Sequence, residues 1–333
     1  MNRSALGNAG ERTMNALVEA EGLTKSFGKL RAVDGITLRV TRGEVLGFLG
    51  PNGAGKSTTM RLITGFLEPD AGRARISGFD VHDQAREAKK RLGYLPEGAP
   101  LYAEMTPRGF LRFVAELRGL QGAAIGGAIA RAVDRTGLGP VLDQTIDTLS
   151  KGYKRRVGIA QAILHDPEVL IMDEPTDGLD PNQKHHVREL IAEMAKEKAI
   201  IVSTHILEEV EAVCTRAVVI NKGRIVADGT AEDLMRRVPY HGAVAILVAA
   251  DKADAVKGAL AALTGIDRIE TLAATNGQLQ LRALPKNGAA IVTEVASVIR
   301  HKSLIVDEVY VERGKLDDVF RQITTSDLDK SHA

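Results

Sequence analysis

The chain has 333 residues, with 44 lysines and arginines against 43 acidic residues and a net charge of +1. That length points to one large domain plus a smaller one, and the balanced charge argues against a dedicated nucleic-acid surface, which would show as a basic excess. The single cysteine, Cys214, excludes an intrachain disulfide and a thiolate metal site and fits a reducing, cytoplasmic compartment, while the longest apolar run, residues 243–250, is strand-sized and too short to span a bilayer.

Residues 1–16 are polar and lack the apolar centre of a signal peptide, so a flexible tail is expected. From Leu17 the pattern reads as short strands, 17–20 and 36–40, joined through the turn Ser26-Phe27-Gly28-Lys29, an antiparallel start. Phe27 is either a ring for stacking on a base or an ordinary core aromatic.

The apolar strand 45–49 leads into Gly50-Pro51-Asn52-Gly53-Ala54-Gly55-Lys56-Ser57-Thr58, which fits the phosphate-cradling pattern G-x-x-x-x-G-K-[ST] in its strand–loop–helix setting. The glycines let backbone N–H groups approach phosphate oxygens, and the following helix adds its N-terminal positive end. Lys56 would neutralise the β- and γ-phosphates, and the Ser57 hydroxyl would bind Mg²⁺.

A helix to Thr64, a turn at 68–72, a strand at 73–77, a charged helix at 82–91 and a buried strand at 92–96 follow, leaving Glu97 at a strand end, where α/β sheets bind ligands. Residues 106–162 read as a mostly helical lobe, with apolar spacing at Phe110, Phe113, Val114 and Leu117 and at Ile125, Ile129 and Val133. Within it Ser150 is an N-cap for the next helix, placed at 154–164, and that helix start is either a second anion site or only a cap with a solvated basic first turn.

The run Val169-Leu170-Ile171-Met172-Asp173-Glu174 buries four apolar residues and ends in two acids. A parallel strand with a metal site at its C-terminal end has this form: Asp173 would enter the Mg²⁺ shell and Glu174 would act as general base on water. A loop at 175–181, a helix at 183–196 and a strand at 199–205 then place His205 at the same sheet edge.

Together these residues resemble the nucleotide-binding subunit of an ABC transporter over residues 17–237. Gly50 to Thr58 is similar to the Walker A loop, 170–173 with Glu174 to Walker B and the catalytic glutamate, and Leu149-Ser150-Lys151-Gly152-Tyr153 to the LSGGQ signature. Gly178-Leu179-Asp180 resembles the D-loop, His205 the switch histidine and Phe27 the base-stacking aromatic. Lys151 and Tyr153 replace a glycine and a glutamine of the signature, with Ser150 and Gly152 kept, and Glu97 stands where the family has its Q-loop glutamine, a carboxylate able to accept from metal-bound water.

The resemblance implies an α/β P-loop NTPase (ABC ATPase) with an antiparallel β subdomain and a helical lobe, binding ATP and Mg²⁺. It further implies head-to-tail pairing with a second copy or a paralogous subunit, so that Ser150, Gly152 and Asp180 meet the nucleotide across the pair. The chain would then power a separate transmembrane permease from the cytoplasmic face of the inner membrane. A soluble ABC ATPase acting on ribosomes or nucleic acid is the alternative, and a kinase or GTPase a weaker one, since no Asn-Lys-x-Asp segment is present.

Residues 238–326 read as strand, helix, two strands around Asn276-Gly277, helix and strand, a small α+β module of ferredoxin-like type with a final helix at 316–323 and a tail at 327–333. This part resembles C-terminal extensions in the drug-resistance and gliding-motility exporter group, with use in dimer contact or regulation.

Overall fold

The computed structural model describes residues 16–98, 100–273 and 277–325. The expected tails at 1–15 and 327–333 and Asn276 of the hairpin turn lie outside the described residues; Ala16, expected as the end of the first tail, already belongs to a strand. The chain divides into two compact units, one up to Ala231 and one from Glu232.

The first unit opens with two long antiparallel strands, β1 (Ala16–Phe27) and β2 (Leu30–Thr41). In β2, Ile36, Leu38 and Val40 are buried while Thr37 and Arg39 face water, the two-residue period of a sheet with one wet face. Next come β3 (Val45–Leu49), α1 (Lys56–Ile63), β4 (Ala71–Ile76), β5 (Phe79–Asp80), α2 (Ala85–Lys90) and β6 (Leu92–Leu95). The helical lobe supplies α3 (Pro107–Leu117), α4 (Ala123–Thr136) and α5 (Lys151–Ile163). The unit continues with β7 (Val169–Asp173), α6 (Pro181–Ala195), β8 (Ala199–Thr204), α7 (Leu207–Val213), β9 (Arg216–Asn221) and β10 (Arg224–Gly229), and α8 (Ala231–Met235) spans the division.

Two sheets result, an antiparallel one ordered β2-β1-β4-β5 and a six-stranded one ordered β10-β9-β3-β8-β7-β6. In the second, β9, β3, β8, β7 and β6 run parallel and β10 is an antiparallel edge. Every residue of β3, β7 and β8 is buried. Alternate residues of these strands feed opposite cores: Leu170, Met172, Ile200 and Val202 join the helical-lobe side, and Val169, Ile171, Ala199 and Ile201 join the side of the antiparallel sheet. Helices and a sheet on the two faces explain why these strands read as continuous apolar runs.

The register sets the site. Leu49 pairs with Thr204, Asp173 with Ser203 and Leu95 with Met172, so the carboxyl ends of β3, β8, β7 and β6 align along one edge. The loops leaving that edge carry Gly50, His205, Glu174 and Glu97.

The second unit holds β11 (Val244–Ala249), α9 (Ala253–Leu260), β12 (Ile266–Ala273), β13 (Gln278–Pro285), α10 (Val292–His301), β14 (Glu308–Val311) and α11 (Leu316–Thr325). All sheet pairs are antiparallel, in the order β12-β13-β11-β14, and Val244, Ile246, Val248, Val256, Leu260, Leu281 and Val295 build its core. We keep ferredoxin-like type as a proposal for this unit, supported by that connectivity. The strand expected at 304–311 forms only over its last four residues; Leu304 and Val306 pack on the core without joining the ladder. The division falls six residues before the expected one at 237/238, and within the second unit Gly314 approaches Met235 so closely that a Cβ there would lie 2.3 Å from its carbonyl oxygen.

Candidate functional site: a phosphate loop facing two acids

The loop after β3 is shaped by two glycines that nothing else could replace. A Cβ on Gly50 would lie 2.5 Å from the Ile220 carbonyl oxygen. Gly55 has φ +106°, and its Cβ would lie 2.4 Å from the Ala32 carbonyl oxygen at the start of β2. Gly223 closes the third side, its N–H donating to Ala54 O (2.9 Å) and its carbonyl accepting from Asp34 N (2.9 Å). The loop is thus seated between β2 and the β9–β10 turn.

That seating also places Phe27. The hairpin pairs Phe27 with Leu30, two residues from the Ala32 that touches Gly55. Phe27 is 51% exposed, so it is not an ordinary core ring. Its stacking on a base is a proposal.

Lys56 begins α1 and is buried, its ammonium donating to Gly50 O (2.7 Å) and Pro51 O (3.2 Å). Burial pulls its pKa below the usual lysine range, and the charges of Glu174, Asp173 and Glu97 oppose that shift. The three acids named from the sequence therefore lie within electrostatic reach of the loop lysine. Ser57 and Thr58 follow in the first turn, half-buried.

Asp173 ends β7 and is 2% exposed, and the Ser203 hydroxyl of the neighbouring β8 donates to its Oδ1. Glu174 has a left-handed backbone, φ +48°, which non-glycine residues seldom adopt and which often marks a functional site. Its N–H bonds Ser203 Oγ (3.0 Å) and its carboxylate Oε1 lies 3.0 Å from His205 Nδ1. His205 itself is held from behind: Thr204 Oγ1 accepts from Ile206 N (3.0 Å) and donates to the buried Glu209 (2.9 Å), which Lys184 of α6 meets at 3.5 Å. Glu97 is exposed beyond β6.

Ser150, Gly152 and Asp180 belong to a second patch. Ser150 caps α5, accepting from Tyr153 N (3.3 Å), and α5 starts at Lys151, three residues earlier than expected. Gly152 packs under α6, where a Cβ would lie 2.2 Å from Gln183 Oε1, and Asp180 caps α6 by accepting from Gln183 N (2.9 Å). Lys151 Nζ bonds Asp177 Oδ2 (3.0 Å) across this patch.

Two residues of the site escaped the sequence reading. Ser203 sits inside an apolar strand, and only the pairing of β8 with β7 brings its hydroxyl to both acids. Arg155 is 6% exposed, with its guanidinium on Asp173 O (2.6 Å), Glu174 O and Pro175 O (3.2 Å), whereas Lys151 in the first turn of the same helix is exposed. The available signal was spacing: Gly152, Arg155, Ile159 and Ala162 form one helical stripe, all buried. Burial lowers the Arg155 pKa, offset by Asp177, Asp173 and Glu174.

The residues present fit ATP and Mg²⁺ by their chemistry: a glycine-rich loop, a buried lysine beside it, a hydroxyl at Ser57 and a buried carboxylate at Asp173. Among the described residues no group of three or more His, Cys, Asp or Glu side chains forms a metal cage. Mg²⁺ is commonly held in this way, by one or two protein oxygens plus substrate phosphates. No described helix is long and apolar enough to cross a membrane.

The family model described as "ABC transporter" matches residues 33–177. The "Linearmycin resistance ATP-binding protein LnrL" of Bacillus subtilis is 36% identical over 223 residues, 67% of this chain and 72% of that protein. The "Nod factor export ATP-binding protein I" of Paraburkholderia xenovorans is 38% identical over 221 residues, 66% and 73% of the two chains. Among solved structures, the "ATP binding subunit of ABC transporter" superposes with a TM-score of 0.62 at 35% identity, over 66% of this chain and 92% of that one. With the phosphate loop, the paired acids and the histidine assembled on one sheet edge, this chain belongs to the family of ABC transporter ATP-binding proteins.

Proposed function

We propose that this chain hydrolyses ATP to drive a separate transmembrane permease, in the direction of export. The observation that carries the hydrolytic part is Glu174, held left-handed at the tip of β7, bonded to His205 and within electrostatic reach of Lys56. The names of the two relatives, one a resistance protein and one an export protein, support export. Peripheral placement on the cytoplasmic face of the inner membrane follows from work with a permease.

In this mechanism the N–H groups of residues 52–58 and the Lys56 ammonium bind the triphosphate, with Gly50 and Pro51 shaping the loop, and Phe27 stacks on the base. Ser57 and Asp173 would hold Mg²⁺, with Glu97 accepting from its bound water, and the ion would supply neutralising charge at the phosphates. Glu174 takes the proton from the attacking water, and His205 orients its carboxylate. The second patch does not serve its own loop. Ser150, Gly152 and Asp180 meet the nucleotide of a partner, a second copy or a paralogous subunit, arranged head to tail. No nucleic acid enters this account.

Glu174→Gln tests it: with ATP and Mg²⁺ the variant should accumulate as a pair on size exclusion with light scattering, with hydrolysis reduced roughly 10²–10⁴-fold, the usual worth of a general base. Ser150→Arg should still bind ATP as a monomer and fail to pair. Full-speed hydrolysis by a strictly monomeric chain would refute the shared site. For the permease, co-fractionation with membranes is the expected result, and with ribosomes or DNA the contrary one.

A further inference from the structure

We infer that Arg155 is a positioning residue for Glu174, and that α5 holds the segment after β7 by two grips, Arg155 inside the fold and Lys151 at the surface. Part of its consequence rests on the head-to-tail reading above.

A buried guanidinium beside two carboxylates would ordinarily pair with them. Here it does not. The Asp173 carboxylate takes the Ser203 hydroxyl and the Glu174 carboxylate takes His205, while all the hydrogen bonds of Arg155 end on main-chain carbonyls, those of residues 173, 174 and 175. Three consecutive carbonyls converging on one planar fork define the course of the backbone through the left-handed residue. The peptide units on both sides of Glu174 are therefore held, its N–H by Ser203 of β8 and its carbonyl by Arg155 of α5 and by Asp177 N (3.1 Å). Remove the fork and the strained backbone at Glu174 loses one of the contacts that over-determine it.

The outer grip acts on the same segment one helical turn earlier. Lys151 Nζ bonds Asp177 Oδ2 at 3.0 Å and lies over Gly178, where a Cβ would come within 2.4 Å of it. Lys151 and Arg155 are spaced i, i+4 and share a face of α5. Both ends of the 173–177 turn are thus attached to one helix, and the N-cap of that helix is Ser150. If Ser150 meets a partner's nucleotide, any shift of α5 on pairing is delivered to the general base of its own chain, with no loop in between to absorb it.

The test separates placement from binding. Arg155→Lys keeps the charge and replaces the fork by a point donor. We expect kcat for ATP to fall 10- to 100-fold with KM within twofold of the parent, and the Glu174→Gln/Arg155→Lys double variant to bind ATP and pair as Glu174→Gln does. A parental kcat, or a kcat loss accompanied by lost nucleotide affinity, overturns the assignment. Failure of Glu174→Gln alone to pair refutes the head-to-tail reading and leaves the kcat–KM split of Arg155→Lys to be read in whatever state hydrolyses. Should Arg155→Lys lose its cooperative melt, the exposed outer grip carries the test. Lys151→Met and Asp177→Asn should each lower kcat several-fold with KM held, and the double variant should be no worse than either single one; parental kcat in both singles overturns the proposal.

Discussion

Alanine at Gly55 and alanine at Gly152 look alike on paper, and the structure predicts opposite outcomes. At Gly55 the backbone has φ +106°, far from the left-handed well near +57° that other residues can enter, and a strained residue of this kind costs about 1–3 kcal/mol. The added Cβ would also lie 2.4 Å from the Ala32 carbonyl oxygen, where ordinary contact begins at 3.4 Å. Ala32 belongs to β2, laced to β1 along its length, so the displacement of about 1 Å must be taken up by the phosphate loop, at an overpacking cost of about 1–3 kcal/mol. Strain and overlap together come to roughly 3 kcal/mol or more, which for a unit of this size lowers Tm by about 6–12 °C. Each charge-assisted N–H contact to phosphate lost by the displaced loop removes about 1.5–3 kcal/mol, so ATP affinity should fall at least tenfold.

At Gly152 the backbone is helical and the atom in the way, 2.2 Å off, is the far end of the Gln183 side chain, which can rotate aside. Alanine is the better helix former by about 1 kcal/mol, so Tm should hold or rise and monomer affinity for ATP should be unchanged. Differential scanning fluorimetry and equilibrium binding of a fluorescent ATP analogue measure both quantities. A Gly55→Ala protein with parental Tm and affinity, or a Gly152→Ala protein worse than it in both, would show that the loop is not seated as described.

Lys56→Ala removes the buried ammonium beside the loop and should weaken ATP binding tenfold or more by titration calorimetry, with unchanged affinity the contrary result. Ser203→Ala strips one hydrogen bond from Asp173 and one from the Glu174 N–H; kcat should fall with KM nearly constant, and a loss confined to KM would contradict the placement. His165 gives a pH signature: burial first, then the charge of Arg118, pulls its imidazole down to about 4. An unfolded histidine takes its proton near 6.5, so this residue favours the folded state above that pH and the advantage is lost as pH falls from 6.5 to 4, by up to about 3 kcal/mol. Urea melts from pH 7 to 4 should show a shallower decline in His165→Gln than in the parent; parallel curves would refute the cause. Tyr240→Phe breaks the hydrogen bond to Asp318 and should lower the melting of the second unit alone, ATPase activity staying parental.

The amino-acid order by itself determined every short-range feature of the site. Gly50 to Thr58 reads as a phosphate loop because its residue types and spacing have one physical use after a buried strand, and Ser150 as a helix cap follows from chemistry that acts over three residues. The six-residue run ending in Asp173 and Glu174 is legible as a doubly buried parallel strand for the same local reason. Strand ends near Ala71 and Glu308 and the helix start at Lys151 were misplaced by a few residues, because ladders and caps compete there on terms set by neighbours far along the chain.

Only the tertiary structure decided who stands beside whom. Strand order β3-β8-β7-β6 is not encoded in any window of sequence, yet it alone brings Ser203 to both acids and His205 to Glu174. Phe27 could be a stacking ring or an ordinary core aromatic until the packing left it 51% exposed. Arg155 carried no local signal of its partners, and only the packing of α5 against the end of β7 brings it to three carbonyls. Local patterns record what a residue prefers over three or four neighbours; the bonds that tune Glu174 join residues 19 to 31 positions apart, and those are settled by how the whole sheet packs.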